Sequence, residues 1–133
     1  MIHQIKVVIK LITVKSFSRQ TILKIQDDNR ITDFYGVTKY YISGQNLLNY
    51  YRQVVYKFDS ELVKDFYGKT LYRLNGNDFK DFYGVTLLKF DGSYIKDFYG
   101  RILYIIDGTL NSQIKMILGT LYMEFGSLEK SVK

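Results

Sequence analysis

The sequence predicts an all-β fold of tandem 16-residue hairpin repeats forming an extended antiparallel meander, and three observations carry that expectation. The tetrapeptide Asp-Phe-Tyr-Gly recurs at 33–36, 65–68, 81–84 and 97–100, at intervals of 32, 16 and 16 residues. The turn dipeptides Asn75-Gly76, Asp91-Gly92 and Asp107-Gly108 follow the same period between those copies. The short runs joining these turns alternate apolar and polar side chains, the pattern of a half-buried strand.

Taken in order, residues 1–16 are expected to form a first strand or cap. Ile5, Val7, Ile9 and Leu11 alternate there with Lys6 and Lys10, and β-branched side chains favour extended chain over helix. A helical 1–16 would instead bring Lys6 and Lys10 onto one stripe able to lie on an anionic bilayer. The segment lacks the basic, apolar and small-residue zones of a signal peptide, and the chain has no run of about 18 apolar residues, so cytoplasmic residence is the default expectation. Repeats are assigned to 17–108. A weaker unit, 17–32, ends in Arg30-Ile31-Thr32 where later units end in Phe79-Lys80 and Ile95-Lys96, and the copy missing from the series falls on Asn49-Tyr50-Tyr51-Arg52, which keeps the aromatic pair. Beyond Gly108 the register slips: Leu121-Tyr122 stands 18 residues after Leu103-Tyr104, and 109–133 is read as a modified C-terminal cap of a single domain, 1–133.

Within one unit, Asn-Gly and Asp-Gly suit two-residue hairpin turns whose central residues take positive φ. Asp-Phe-Tyr-Gly suits a longer loop built on a type I turn, with Asp capping a backbone N–H and Gly closing at positive φ. Keeping each unit in phase then requires an even second loop, and four residues fit the turn chemistry. Alternation sorts Tyr72, Leu74, Phe79, Leu88, Phe90, Ile95, Tyr104 and Ile106, with Thr70 and Thr86, onto one apolar face. Lys57, Lys64, Arg73, Lys80, Lys89 and Lys96, with Leu71, Leu87 and Leu103, fall on the other. Roughly twelve to sixteen such strands at about 4.8 Å each would extend too far to leave an apolar face wet, so the sheet must curl, pack on its own other half or meet a partner. The alternative is a parallel β-solenoid, in which the repeated lysines would stack at about 4.8 Å against like charge.

Phrases such as Ile-Lys-Asp-Phe-Tyr-Gly-Arg-Ile-Leu-Tyr-Ile-Ile-Asp-Gly at 95–108 resemble the short Asp-x-x-Gly and Leu-Tyr-x-x-Asp-Gly hairpin repeats of uncharacterised bacterial proteins, over roughly 32–108. The unit is also loosely similar to MORN repeats, a likeness that implies single-layer hairpin sheets acting as scaffolds or membrane-associated modules. It is shorter than a MORN repeat and lacks that family's Gly-x-Trp core.

Chemistry offers few handles. The chain has one histidine, His3, and no cysteine, so the usual general base and thiol nucleophile are nearly absent, and no catalytic residue, metal ligand or cofactor is assigned. Asp33, Asp65, Asp81 and Asp97 are read as turn caps, spaced too widely in a meander to share an ion. The periodic glycines punctuate turns and none opens a phosphate loop before a helix.

These readings point to a non-enzymatic structural or protein-interaction module that self-associates or docks into an assembly through the apolar face from Tyr72 to Ile106. The alternative is an anion-binding module for nucleic acid, acidic glycan or anionic lipid, using the six cations on the other face and favoured by a formal charge of +6. No small-molecule substrate is expected.

Overall fold

A computed structural model describes residues 11–133; the expected strand or cap at 1–16 therefore lies largely outside the described residues. Among the described residues, twelve antiparallel strands follow one another: β1 (Ile12–Ser16), β2 (Thr21–Ile25), β3 (Arg30–Asp33), β4 (Thr38–Ser43), β5 (Asn46–Asn49), β6 (Val54–Asp59), β7 (Leu62–Asp65), β8 (Thr70–Asn75), β9 (Asp78–Asp81), β10 (Thr86–Asp91), β11 (Tyr94–Asp97) and β12 (Ile102–Asp107). Each pairs with its neighbour in sequence, and β1 pairs with β12, Val14 opposite Ile106, so the sheet closes into a barrel. The open meander and the parallel solenoid are both corrected by this closure. Its cause is the apolar face: closing the sheet turns that face inward and leaves no unpaired strand edge.

A barrel of twelve strands tilted about 40° has a wall radius of roughly 12 Å, wider than wall side chains alone can fill. The chain supplies the filling itself. Residues 109–133, expected as a modified C-terminal cap, contain a helix α1 (Ser112–Phe125) and a short helix α2 (Leu128–Ser131). Asn111 caps α1 by accepting from the Ile114 N–H, and Gly126 ends it in the left-handed region at φ 84°. Met116, Ile117, Leu118, Gly119, Thr120 and Leu121 are buried in unbroken succession. A helix buried on every side must run inside the barrel, since a helix lying on a surface keeps one face wet. Gly119 sits directly against the wall, where an added Cβ would stand 2.7 Å from the Phe79 ring.

The two ends of the barrel are built differently. At one rim, two-residue turns occupy 44–45, 60–61, 76–77 and 92–93, flanked by the pairs Ser43 with Asn46, Asp59 with Leu62, Asn75 with Asp78 and Asp91 with Tyr94. Positive φ falls on Gly44, Ser60, Gly76 and Gly92, the first residue of each turn, whereas the dipeptides had suggested Asn75-Gly76 and Asp91-Gly92 as the central residues. The register thus slides by one residue on each strand, an even total that by itself moves no side chain to the opposite face. Asp107-Gly108 forms no hairpin at all but leads out of β12 toward α1.

The opposite rim carries six loops of one design, at 16–19, 33–36, 49–52, 65–68, 81–84 and 97–100. In each, the first residue's carbonyl accepts from the fourth residue's N–H at 2.8–3.1 Å, and that fourth residue has φ between 64° and 86°. Three residues, not four, lie between the flanking pair, as with Asp81 and Val85. Parity is restored by a β-bulge one step further on, where Leu71, Leu87 and Leu103 are the extra residues. The bulge places Thr70 opposite Lys64 and Thr86 opposite Lys80, so both threonines leave the apolar face expected for them.

Candidate functional site

The apolar set now has a definite place. Leu74, Phe79, Leu88, Phe90, Ile95, Tyr104 and Ile106 are buried in the lumen, and Tyr72 is half-buried with its ring 5.1 Å from that of Phe79. The face expected to meet a partner is therefore the inner wall, covered by the chain's own helix.

The six cations lie on the outer wall, where β-pairing sets them directly opposite one another: Lys57 with Lys64, Arg73 with Lys80, and Lys89 with Lys96. Two of the three pairs are relieved by turn carboxylates, Lys64 bonding Asp59 at 3.2 Å and Lys96 bonding Asp91 at 2.6 Å. The Lys96 ammonium lowers the Asp91 carboxyl pKa, first by its hydrogen bond and then by its charge. The turn position matching Asp59 and Asp91 is Asn75, and Arg73 and Lys80 have no carboxylate within 4.0 Å among the described residues. Charges at this height also set the barrel apart from membrane-spanning ones, whose lipid-facing wall is apolar and loses about 2–4 kcal/mol for each Lys or Arg near the bilayer midplane.

The most distinctive surface is one to which the sequence reading gave only a turn role. Five of the six rim loops carry adjacent aromatic residues: Phe34-Tyr35, Tyr50-Tyr51, Phe66-Tyr67, Phe82-Tyr83 and Phe98-Tyr99. In every pair the rings meet edge to face with centroids 5.2–5.5 Å apart. The second ring of each pair is 79–89% exposed and the first 55–59%. Phe17, in the sixth loop, is exposed as well. Six loops of equal length on one rim thus lift eleven aromatic side chains into a crown roughly 24 Å across. Aspartate and glycine explain how the loop turns; they do not explain aromatic residues at its tip, where polar ones are usual. That mismatch was the signal available in the sequence.

Charge in the crown is sorted by depth. The aspartates turn back to cap their own loops: Asp65 Oδ1 accepts from the Tyr67 and Lys69 N–H groups at 2.9 Å each, and Asp33, Asp97 and Asn49 repeat the arrangement. Burial pushes the Asp97 carboxyl up, but the Arg101 N–H and guanidinium and the Tyr99 N–H together carry it below the ordinary carboxylate value. The Asp97 side chain is 15% exposed while its partner Arg101 projects at 78%. The guanidinium of Arg52 lies 4.1 Å from the Tyr41 ring centroid, and that of Arg101 lies 6.0 Å from the Tyr99 ring.

Inside the crown the barrel mouth is stoppered by the C-terminal segment. Tyr40 Oη donates to the Ser131 carbonyl at 2.7 Å, Tyr104 Oη donates to Glu129 at 2.6 Å, and the Leu128 N–H donates to Tyr104 Oη at 3.0 Å. Tyr56 and Tyr72 reach Glu124 Oε1 and Oε2 at 3.2 and 3.3 Å. Burial, and then the Glu124 charge, raise the Tyr72 phenol to about 12 and push Tyr56 up as well; burial alone takes Tyr40 to about 12. Shallow recesses remain between the stopper and the loops, one of about 460 Å³ bordered by Tyr40, Tyr50, Tyr51 and Lys133. No protein-family model, curated protein or solved structure matches the chain.

Proposed function

We propose that the protein is a non-enzymatic docking module whose working surface is the aromatic crown. The observation that carries this reading is the repetition of an exposed aromatic pair at five loop tips that the fold itself does not use. Each second ring lies outside the core, so keeping it wet forgoes burial of an aromatic side chain, worth about 1.5–3 kcal/mol. Rigid aromatic rings also contribute large contact area at little cost in side-chain entropy, the property that enriches tyrosine at recognition surfaces. Attachment through the inner wall would require opening the barrel, so the crown replaces that face as the docking surface.

A second reading is favoured by the Arg73–Lys80 pair, two opposed cations without a carboxylate neighbour among the described residues. This stretch of wall is suited to binding phosphate or sulfate groups of a polyanion. One experiment separates the two. A photocrosslinking phenylalanine analogue is placed at Tyr67 or Tyr83, and in a separate variant at Lys80, in cells that make the protein. Adducts from the crown positions alone support docking through the rim; adducts from position 80 alone overturn it in favour of the wall.

A further inference from the structure

Resting on the crown as the working surface, we infer that the surface it docks onto is the interfacial region of an anionic lipid bilayer. The first argument is shape. The second ring of each pair stands 79–89% exposed on its own loop, so the projecting rings, and not the shallow recesses beside them such as that bordered by Val37, Tyr50 and Tyr51, present most of the contact area. Contact with all five pairs at once needs something flat and at least as wide as the barrel, roughly 24 Å. A bilayer surface meets that requirement without any matched relief, because headgroups rearrange around each ring.

The second argument is residue type. The tips hold tyrosine and phenylalanine, never leucine or isoleucine. Tyrosine carries an apolar ring ending in a hydrogen-bonding hydroxyl, which fits the boundary between headgroups and acyl chains better than the hydrocarbon beneath. Rings on rigid hairpin tips reach that depth and no further, because the strands below them carry Lys64, Lys80 and Lys96.

Charge supplies the third argument. Arg19, Arg52, Lys69 and Arg101 occupy the fourth or fifth position of four rim loops, while the aspartates that would oppose an anionic surface turn their Oδ1 atoms back onto loop N–H groups. Outward cations interleaved with aromatic rings, on a chain of net charge +6, complement anionic headgroups. The same charges disfavour a second copy as the occupant, since rim-to-rim packing would set these cations against their equivalents.

The test uses the full chain and vesicles of phosphatidylcholine alone or with about 30% phosphatidylserine. Co-sedimentation should show binding to the mixed vesicles, weaker binding to phosphatidylcholine alone, and quenching of tyrosine fluorescence by lipids brominated near the headgroup. Combining Tyr35→Ser, Tyr67→Ser, Tyr83→Ser and Tyr99→Ser should lower partitioning on the order of a hundredfold, since interfacial binding scales with the apolar area inserted. These side chains lie outside the core, so an unchanged thermal melt by circular dichroism verifies that the variant is folded. A wild-type chain that ignores both vesicles overturns the lipid assignment, while crown adducts to protein in the crosslinking experiment would leave rim docking standing. Binding that survives the tyrosine changes but is lost on replacing Arg73 and Lys80 by Gln overturns the crown in favour of the wall. A concentration-dependent dimer abolished by the tyrosine changes identifies a second copy as the occupant instead.

Discussion

Gly119→Ala tests whether α1 runs inside the barrel, because the sign of its effect depends on that placement. On an exposed helix the change is stabilising by about 1 kcal/mol, the difference in helix propensity between the two residues. Here the new methyl would stand 2.7 Å from Cγ and Cδ1 of Phe79 and 2.8 Å from Cδ2. The ring cannot swing aside: Phe79 is fully buried, and the Tyr72 ring packs 5.1 Å from it. Overpacking of a filled core costs typically about 1–3 kcal/mol, and contact against ring atoms near the Phe79 backbone belongs at the upper end, so the net effect is a loss of about 1–2 kcal/mol. For a domain of this size that lowers Tm by roughly 3–8 °C. Urea unfolding followed by circular dichroism measures it directly. Phe79→Leu in the same chain makes room for the methyl, and the double variant should be more stable than the sum of the single changes predicts, with a coupling of about 1 kcal/mol or more. A Gly119→Ala protein more stable than wild type, or strict additivity with Phe79→Leu, would refute the packing of α1 against β9.

Two further outcomes concern the stoppered mouth. Tyr104→Phe removes the hydroxyl that donates to Glu129 and accepts from the Leu128 N–H, leaving a buried donor unpaired at a cost of about 1–3 kcal/mol; hydrogen exchange should accelerate over 127–132 while the strands keep their protection. Alkaline pH acts on the same region. Tyr40 and Tyr72 have folded pKa values of about 12 against 10.0 when unfolded, so the folded state holds these protons more tightly; the stability this contributes is complete below pH 10 and is lost as pH rises from there through about 12. Phenolate absorbance followed alongside circular dichroism should show these groups ionising together with unfolding, and Glu124→Gln, which removes the neighbouring charge, should move the transition to higher pH.

The legible parts of the structure were those written in local spacing. Asp-Phe-Tyr-Gly and the Gly-containing turns marked the hairpins, and alternation placed Leu74, Phe79 and Phe90 on one face and Arg73 and Lys80 on the other, because strand parity survives small errors of register. The open meander failed at closure, since pairing Val14 with Ile106 joins residues far apart in sequence and leaves no local mark. Helix α1 was hidden by analogy. Leu121-Tyr122 looked like a slipped copy of Leu103-Tyr104, although Asn111 and Gly126 bracketed the segment with helix caps; a helix apolar on all sides lacks the one-sided pattern that distinguishes a surface helix from a strand. In the rim loops, assigning Asp and Gly their turn roles left Phe66-Tyr67 and its equivalents without one, and the crown went unread until the six tips shared a rim.

Placing the filling helix after the last strand has a consequence for the order of events during synthesis. Eleven of the twelve strand pairings are between neighbours in sequence and can form as the chain emerges. The twelfth, between β1 and β12, and the helix that fills the lumen must wait for roughly a hundred residues, about 5–20 s at ordinary translation rates. Throughout that interval the nascent sheet has open edges, and Phe58, Leu74 and Phe79 stay uncovered from the moment each is made, so the growing chain passes through its most aggregation-prone form just before it can close. Chaperone dependence should therefore peak late in translation and end when residues 112–125 enter the barrel.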